Sequence, residues 1–159
     1  MRQSLKCYTS GRHLADGGNV GTVSFAVPDY GLLFRCRGEG TRAELEIIAL
    51  MSFLRFAEAN KELFAKRDLQ IYTDFPFIVF LLNGKIRLDG RLTVVATQIQ
   101  QYSRELSFQV KWIDGQSNRA ASSVGDIPVL PADAGITIKG SAALSLSEKN
   151  HLHPSDRKR

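Results

Sequence analysis

The hydrophobic pattern changes period near residue 41: up to there apolar side chains recur at every second position, and beyond it they recur at helical spacing. That switch limits the chain to a sheet assembled first and helices laid over it afterwards. Residues 4–10 (SLKCYTS) alternate, with Leu5, Cys7 and Thr9 on one face and Lys6, Tyr8 and Ser10 on the other. A glycine-rich turn or loop, Gly11 to Gly21, leads to a second alternating run, Thr22 to Val27. Past the turn composition Pro28-Asp29-Tyr30-Gly31, Leu32 to Arg37 reads as a third strand. Three strands joined this closely pair as an antiparallel meander.

From Thr41 to about Asn60, Leu45, Ile48, Ala49, Leu50, Met51, Leu54 and Ala57 line up at helical spacing. Thr41 followed by Glu44 is the pattern of a capping box at the start of that helix. A polar loop ends at Asp68, and Leu69 to Asp74 reads as a strand. Pro76 opens a short apolar helix closed by Gly84. Leu92 to Tyr102 is a helix candidate weakened by the β-branched Thr93, Val94, Val95 and Thr97. Leu106 to Ile113 is the last clear strand. The predicted class is therefore α/β: a mixed five-stranded sheet, three strands antiparallel and two parallel, with crossover helices.

Composition narrows the functional classes. With 159 residues, 43% of them hydrophobic, one core is expected and two are not. A formal net charge of +5 permits a polyanionic partner without demanding one. The densest apolar run, Phe75 to Leu82, is far too short to cross a membrane, and the first residues carry no signal-like apolar stretch. The expected compartment is the cytoplasm. Cys7 and Cys36 read as small buried hydrophobes, and His13, His151 and His153 stand isolated. No G-x-x-x-x-G-K-[ST] phosphate loop is present. The organisation predicted is a domain over 1–123, an irregular extension packed on it over 124–147, and a disordered tail over 148–159.

Four stretches in order resemble the ribonuclease H family: Tyr8-Thr9-Ser10-Gly11 with Val20-Gly21, Arg42-Ala43-Glu44-Leu45, Ile71-Tyr72-Thr73-Asp74, and Trp112-Ile113-Asp114-Gly115-Gln116 followed by Asn118-Arg119-Ala120-Ala121-Ser122. The resemblance implies a ribonuclease H-like fold and a site of four carboxylates holding two divalent cations, Mg²⁺ or Mn²⁺, for phosphodiester hydrolysis. Carried over by position, it makes Glu44 and Asp74 the surviving carboxylates and metal ligands. Ser10 and Ser122 (or Ser123, one register on) stand where the family has aspartates, and Gln116 stands where it has a histidine. A neutral hydroxyl does not replace a carboxylate against a dication. Asp16, Asp114 and Asp126 are the acids near enough in sequence to substitute.

The resemblance also implies recognition of an RNA–DNA hybrid or similar duplex through its backbone, with Gly11, Arg12, Asn19 and Arg42 as contacts and Lys85, Arg87 and Arg91 as further basic candidates. The asparagine pair that the family often places before its helix glutamate is missing, since the chain reads Gly40-Thr41-Arg42. Each residue also has a plainer role open to it: Glu44 as capping partner, Asp74 as an N-cap, Trp112 as a core anchor. The expectation is a ribonuclease H-like domain without hydrolytic activity that binds nucleic acid. The alternatives are a metal-dependent hybrid endoribonuclease with a rearranged ligand set, and a protein-interaction domain reusing the fold.

Overall fold

The computed structural model describes residues 1–14, 18–84 and 90–122, apart from the side chains of Arg91 and Ser122. The predicted extension over 124–147 and the tail over 148–159 lie outside the described residues. The strands are β1 (Gln3–His13), β2 (Val20–Val27), β3 (Leu32–Glu39), β4 (Arg67–Thr73) and β5 (Ser107–Trp112). The helices are α1 (Arg42–Ala59), α2 (Lys61–Phe64), α3 (Pro76–Leu82), α4 (Gly90–Gln101) and α5 (Arg119–Ser122). One sheet runs β3-β2-β1-β4-β5. Its first three strands are antiparallel, while β4 pairs in parallel with both β1 and β5. The mixed sheet expected from the change of period is the one observed.

Helix α1 covers one face. Thr41 accepts a hydrogen bond from the Glu44 amide while the Glu44 carboxylate reaches back to the Thr41 amide, closing the capping box. Leu45, Leu50, Phe53 and Leu54 then bury completely against Leu5, Cys7, Val23, Phe25, Leu69 and Ile71 of the sheet. Each such side chain contributes roughly 1.5–3 kcal/mol on leaving water. Both cysteines are buried, and burial pushes the Cys7 thiol up to about 12. On the opposite face a smaller cluster of Tyr8, Ala26 and Ala120 packs with Leu33, Tyr72 and Ile113.

Two local differences from the sequence expectation, and one helix that forms as expected despite its composition, have physical causes. Gly11, Arg12 and His13 are strand residues rather than loop, paired with Val23, Thr22 and Gly21. A Cβ on Gly11 would fall 2.3 Å from the carbonyl carbon of Leu45, so glycine serves here to let β1 press against α1, not to turn the chain. The segment before β4 folds into α2 because Phe64 turns inward onto the rings of Tyr30, Phe53 and Phe56. In α4 the β-branched residues are tolerated, with the Thr97 hydroxyl donating to the Thr93 carbonyl at 2.9 Å.

Candidate functional site

The β1–β4 register pairs Thr9 with Thr73, which brings Ser10 and Asp74 to the same end of the two central strands. The Ile113 amide donates to the Thr73 carbonyl at 2.9 Å, so the turn after β5 arrives at that end as well. Helix α1 begins there too, held close by Gly11. Four elements thus converge where the parallel strands finish.

Glu46 sits at the centre of this convergence. It is fully buried, on the same stripe of α1 as Ala49, Leu50 and Phe53, three, four and seven positions on. Arg42 donates to its Oε1 from Nε at 3.3 Å and from Nη2 at 3.0 Å, and the Thr73 hydroxyl donates to its Oε2 at 3.3 Å. Burial raises its pKa to about 7, against the lowering pull of the Gly11 amide and Arg42; the charge of Asp74 adds to the rise.

Asp74 is almost as enclosed, its side chain 4% exposed. Arg12, reaching in from β1, donates to its Oδ2, and Arg42 approaches its Oδ1 at 3.5 Å. Arg42 is further held by the Phe75 ring, 4.9 Å below its guanidinium carbon. Gly115 lies over the Arg12–Asp74 pair: a Cβ there would stand 2.9 Å from Arg12 Nη2 and 3.1 Å from Asp74 Oδ2. Behind the site, fully buried Asn118 donates to the Thr9 carbonyl at 2.9 Å and accepts from the Ala120 amide at 3.0 Å. The Ala120 carbonyl in turn receives the hydroxyl of Ser24 and the guanidinium of buried Arg35. These bonds tie α5 to the meander.

The residues singled out in the sequence are distributed unevenly around this centre. Asp74 is in it, and its carboxylate pairs with arginines instead of capping α3, whose N-cap position is Phe75. Glu44 spends its carboxylate on Thr41; the glutamate that faces Asp74 is Glu46. Two residues along an α-helix turn the side chain by about 200°, onto the opposite face. The available signal was the presence of a charge on an otherwise apolar stripe. Ser10 is buried, 2% exposed, at the end of the central strands. Gln116 is exposed in the turn that follows β5, and Asp114 of the same turn binds the amide and hydroxyl of Ser117 at 3.0 and 2.9 Å. Asn19 is exposed, its carbonyl accepting from Gly40 at 2.9 Å, and the His13 ring contacts the Gly40 carbonyl at 2.7 Å. Trp112, open to a core role in the sequence, is 55% exposed. Asp16, Lys85, Arg87, Asp126, His151 and His153, together with the side chains of Arg91 and Ser122, lie outside the description.

No protein-family model matches the sequence, and no curated protein matches it. Solved structures do. LC11-RNase H1, isolated from compost by a metagenomic approach, superposes with a TM-score of 0.64 at 18% identity, over 77% of this chain and 92% of that one. The same protein in complex with an RNA/DNA hybrid gives 0.61 at 17% identity, over 76% and 92%. RNase H1 from the halophilic archaeon Halobacterium salinarum NRC-1 gives 0.56 at 18%, again over 76% and 92%. The fold is ribonuclease H-like. Identities this low speak for the fold alone.

Among the described residues of that ribonuclease H-like fold, the donor set does not fit a pair of divalent cations. Among the described residues no group of three or more His, Cys, Asp or Glu side chains is placed to hold a metal ion. The two carboxylates that do meet have their oxygens engaged by Arg12, Arg42 and Thr73. Hard dications seek several anionic oxygens, and here two cationic side chains already occupy them. Among the described residues no helix is long and apolar enough to cross a membrane.

Proposed function

We propose that this chain is a nucleic-acid-binding module of ribonuclease H-like fold that does not hydrolyse its ligand, the ligand being an RNA–DNA hybrid or a similar duplex. One observation carries the reading: Glu46 and Asp74, the carboxylates that meet where the central strands stop pairing, are ion-paired to Arg42 and Arg12, and position 10 at that same end is a serine. In-line hydrolysis assisted by two metals needs carboxylates free to coordinate. A buried network of this kind supplies rigidity instead.

Binding is supported by the fold and by the placement of basic side chains. A structural neighbour was solved with an RNA/DNA hybrid. The side chains of Arg12 and Arg42 keep 41% and 37% of their surface exposed while anchored from below. Guanidinium groups fixed in this way contact phosphates with little further loss of side-chain entropy. Gly11 and Asn19 belong to the same hairpin.

The test is a hybrid-binding and cleavage assay on the full chain. Expected are an affinity that falls steeply with salt and no Mg²⁺- or Mn²⁺-dependent cleavage. Cleavage that disappears in Asp74→Asn or Glu46→Gln would overturn the reading in favour of a nuclease. Tight, salt-insensitive capture of a protein, with no hybrid affinity at low salt, would overturn it in favour of a protein-interaction domain.

A further inference from the structure

We propose that the guanidinium groups of Arg12 and Arg42 take the place of the two divalent cations of a ribonuclease H centre, so that Mg²⁺ and Mn²⁺ neither enter this site nor are needed by it. The inference deepens the reading above by specifying what balances the charge of that same site.

The balance is visible atom by atom. Arg12 comes from β1 and Arg42 from the first turn of α1, and both reach Asp74, one to each oxygen. Arg42 also closes on Glu46 from the same helix, one turn back. The second Glu46 oxygen is held by Thr73, and the Gly11 amide adds a further hydrogen bond to the carboxylate. Two guanidinium groups therefore face two carboxyl groups, with the neutral hydroxyl residue Ser10 in β1 just past the last residue paired with β4. A dication entering this arrangement would have to displace both arginines from Asp74 and shed part of its own water shell, with two positive charges still nearby. The turn at Gly115 lies over the same pair: a Cβ there would stand 2.9 Å from Arg12 Nη2 and 3.1 Å from Asp74 Oδ2.

The inference has a reversal as its consequence. Removing the two guanidinium groups and returning a carboxylate to β1 opens a cation site out of residues already aligned by the fold. The probe is Mn²⁺ alone, titrated into the full chain and followed by the electron paramagnetic resonance of the free ion. The unaltered chain is expected to show no binding below millimolar Mn²⁺. Ser10→Asp alone adds no affinity, because the arginines remain. The triple variant Ser10→Asp/Arg12→Gln/Arg42→Gln binds at least about tenfold more tightly than the unaltered chain, and adding Asp74→Asn abolishes the gain. A folded triple variant with unchanged affinity overturns the proposal, as does submillimolar binding by the unaltered chain that is lost in Asp74→Asn.

Should the triple variant fail to fold, the unaltered chain decides alone. Its melting temperature and its hybrid affinity are expected to be the same in Mg²⁺ and in a chelator at matched ionic strength. A rise of either on adding Mg²⁺, lost in Asp74→Asn, overturns the proposal. Absence of hybrid affinity would overturn the binding function while leaving the Mn²⁺ result to stand or fall independently.

Discussion

Glu46 and Asp74 share one guanidinium: Arg42 reaches Oε1 of the first at 3.0 Å and Oδ1 of the second at 3.5 Å. The two carboxyl groups come from α1 and from the residue that follows β4, elements brought together by the packing of that helix on the sheet. Arg12 adds a third tie from β1 to Asp74. The site is thus a clasp joining hairpin, helix and central strand.

Breaking the clasp should cost stability in a coupled way. Asp74→Asn leaves Arg12 and Arg42 short of a counter-charge and is expected to destabilise the fold by about 1–3 kcal/mol, the partial exposure of both arginines limiting the loss. Arg12→Gln costs less. In a denaturation-based double-mutant cycle the two changes should couple by about 0.5–3 kcal/mol. Strict additivity would show that the pair contributes nothing as a pair.

The stability of the chain should fall with pH through a window set by Glu46. Its ordinary pKa is 4.5 and its folded value is about 7, raised chiefly by burial and further by Asp74, with Arg42 and the Gly11 amide opposing. The folded chain therefore holds this proton more tightly than the unfolded chain. The resulting stabilisation is complete below pH 4.5 and is lost as pH rises through about 7. Its full size is on the order of 3 kcal/mol. Urea melts at a series of pH values should show the decline, and Glu46→Gln should remove that component. An unchanged pH profile in Glu46→Gln would assign the decline to other groups.

Gly11→Ala should be among the most damaging single-methyl additions to the chain. The new Cβ would meet backbone atoms of Leu45 and Glu46 at 2.3–2.5 Å, and backbone does not step aside as a flexible side chain does. A loss of about 3 kcal/mol or more is expected, read as a lowered melting temperature or loss of soluble protein. Gly18→Ala is the contrast: Gly18 has a positive φ, 56°, which Gly11 does not, and nothing lies within 4 Å of its Cβ. Its cost should be confined to backbone strain of about 1 kcal/mol.

Trp112 is the single tryptophan of the chain and is 55% exposed, at the end of β5 one residue before the bond that ties Ile113 to Thr73. A hybrid bound over the clasp should change its fluorescence. Trp112→Phe should abolish the signal while changing the stability by only about 0.5 kcal/mol. A hybrid that binds by another assay with no change in Trp112 emission would place the ligand elsewhere.

Much of the architecture is present in the periodicity. The alternation of Leu5, Cys7 and Thr9, the switch at Thr41, and the capping box with Glu44 suffice for the meander and for α1, because each depends on neighbours a few residues apart. Short-range pattern offered Asp74 only as an N-cap, and the family resemblance singled it out as a site residue; the N-cap is Phe75. Short-range pattern put Glu44 in the capping box, as observed, but did not mark Glu46, whose burial opposite Asp74 depends on which helix face meets the sheet. It treated Gly11–His13 as a turn, because the clash that demands glycine there comes from Leu45, far along the chain.

The amino-acid sequence by itself determined the order of strands and helices, the meander, the start of α1 and the presence of a serine, not an aspartate, at position 10. Only the tertiary structure decided what balances the remaining carboxylates. Arg12 and Asp74 are 62 residues apart in the chain, and Arg42 and Asp74 are 32 apart, so no local pattern encodes their meeting. Charge pairing depends on distance and burial, and both arise only when β1, α1 and β4 are packed together.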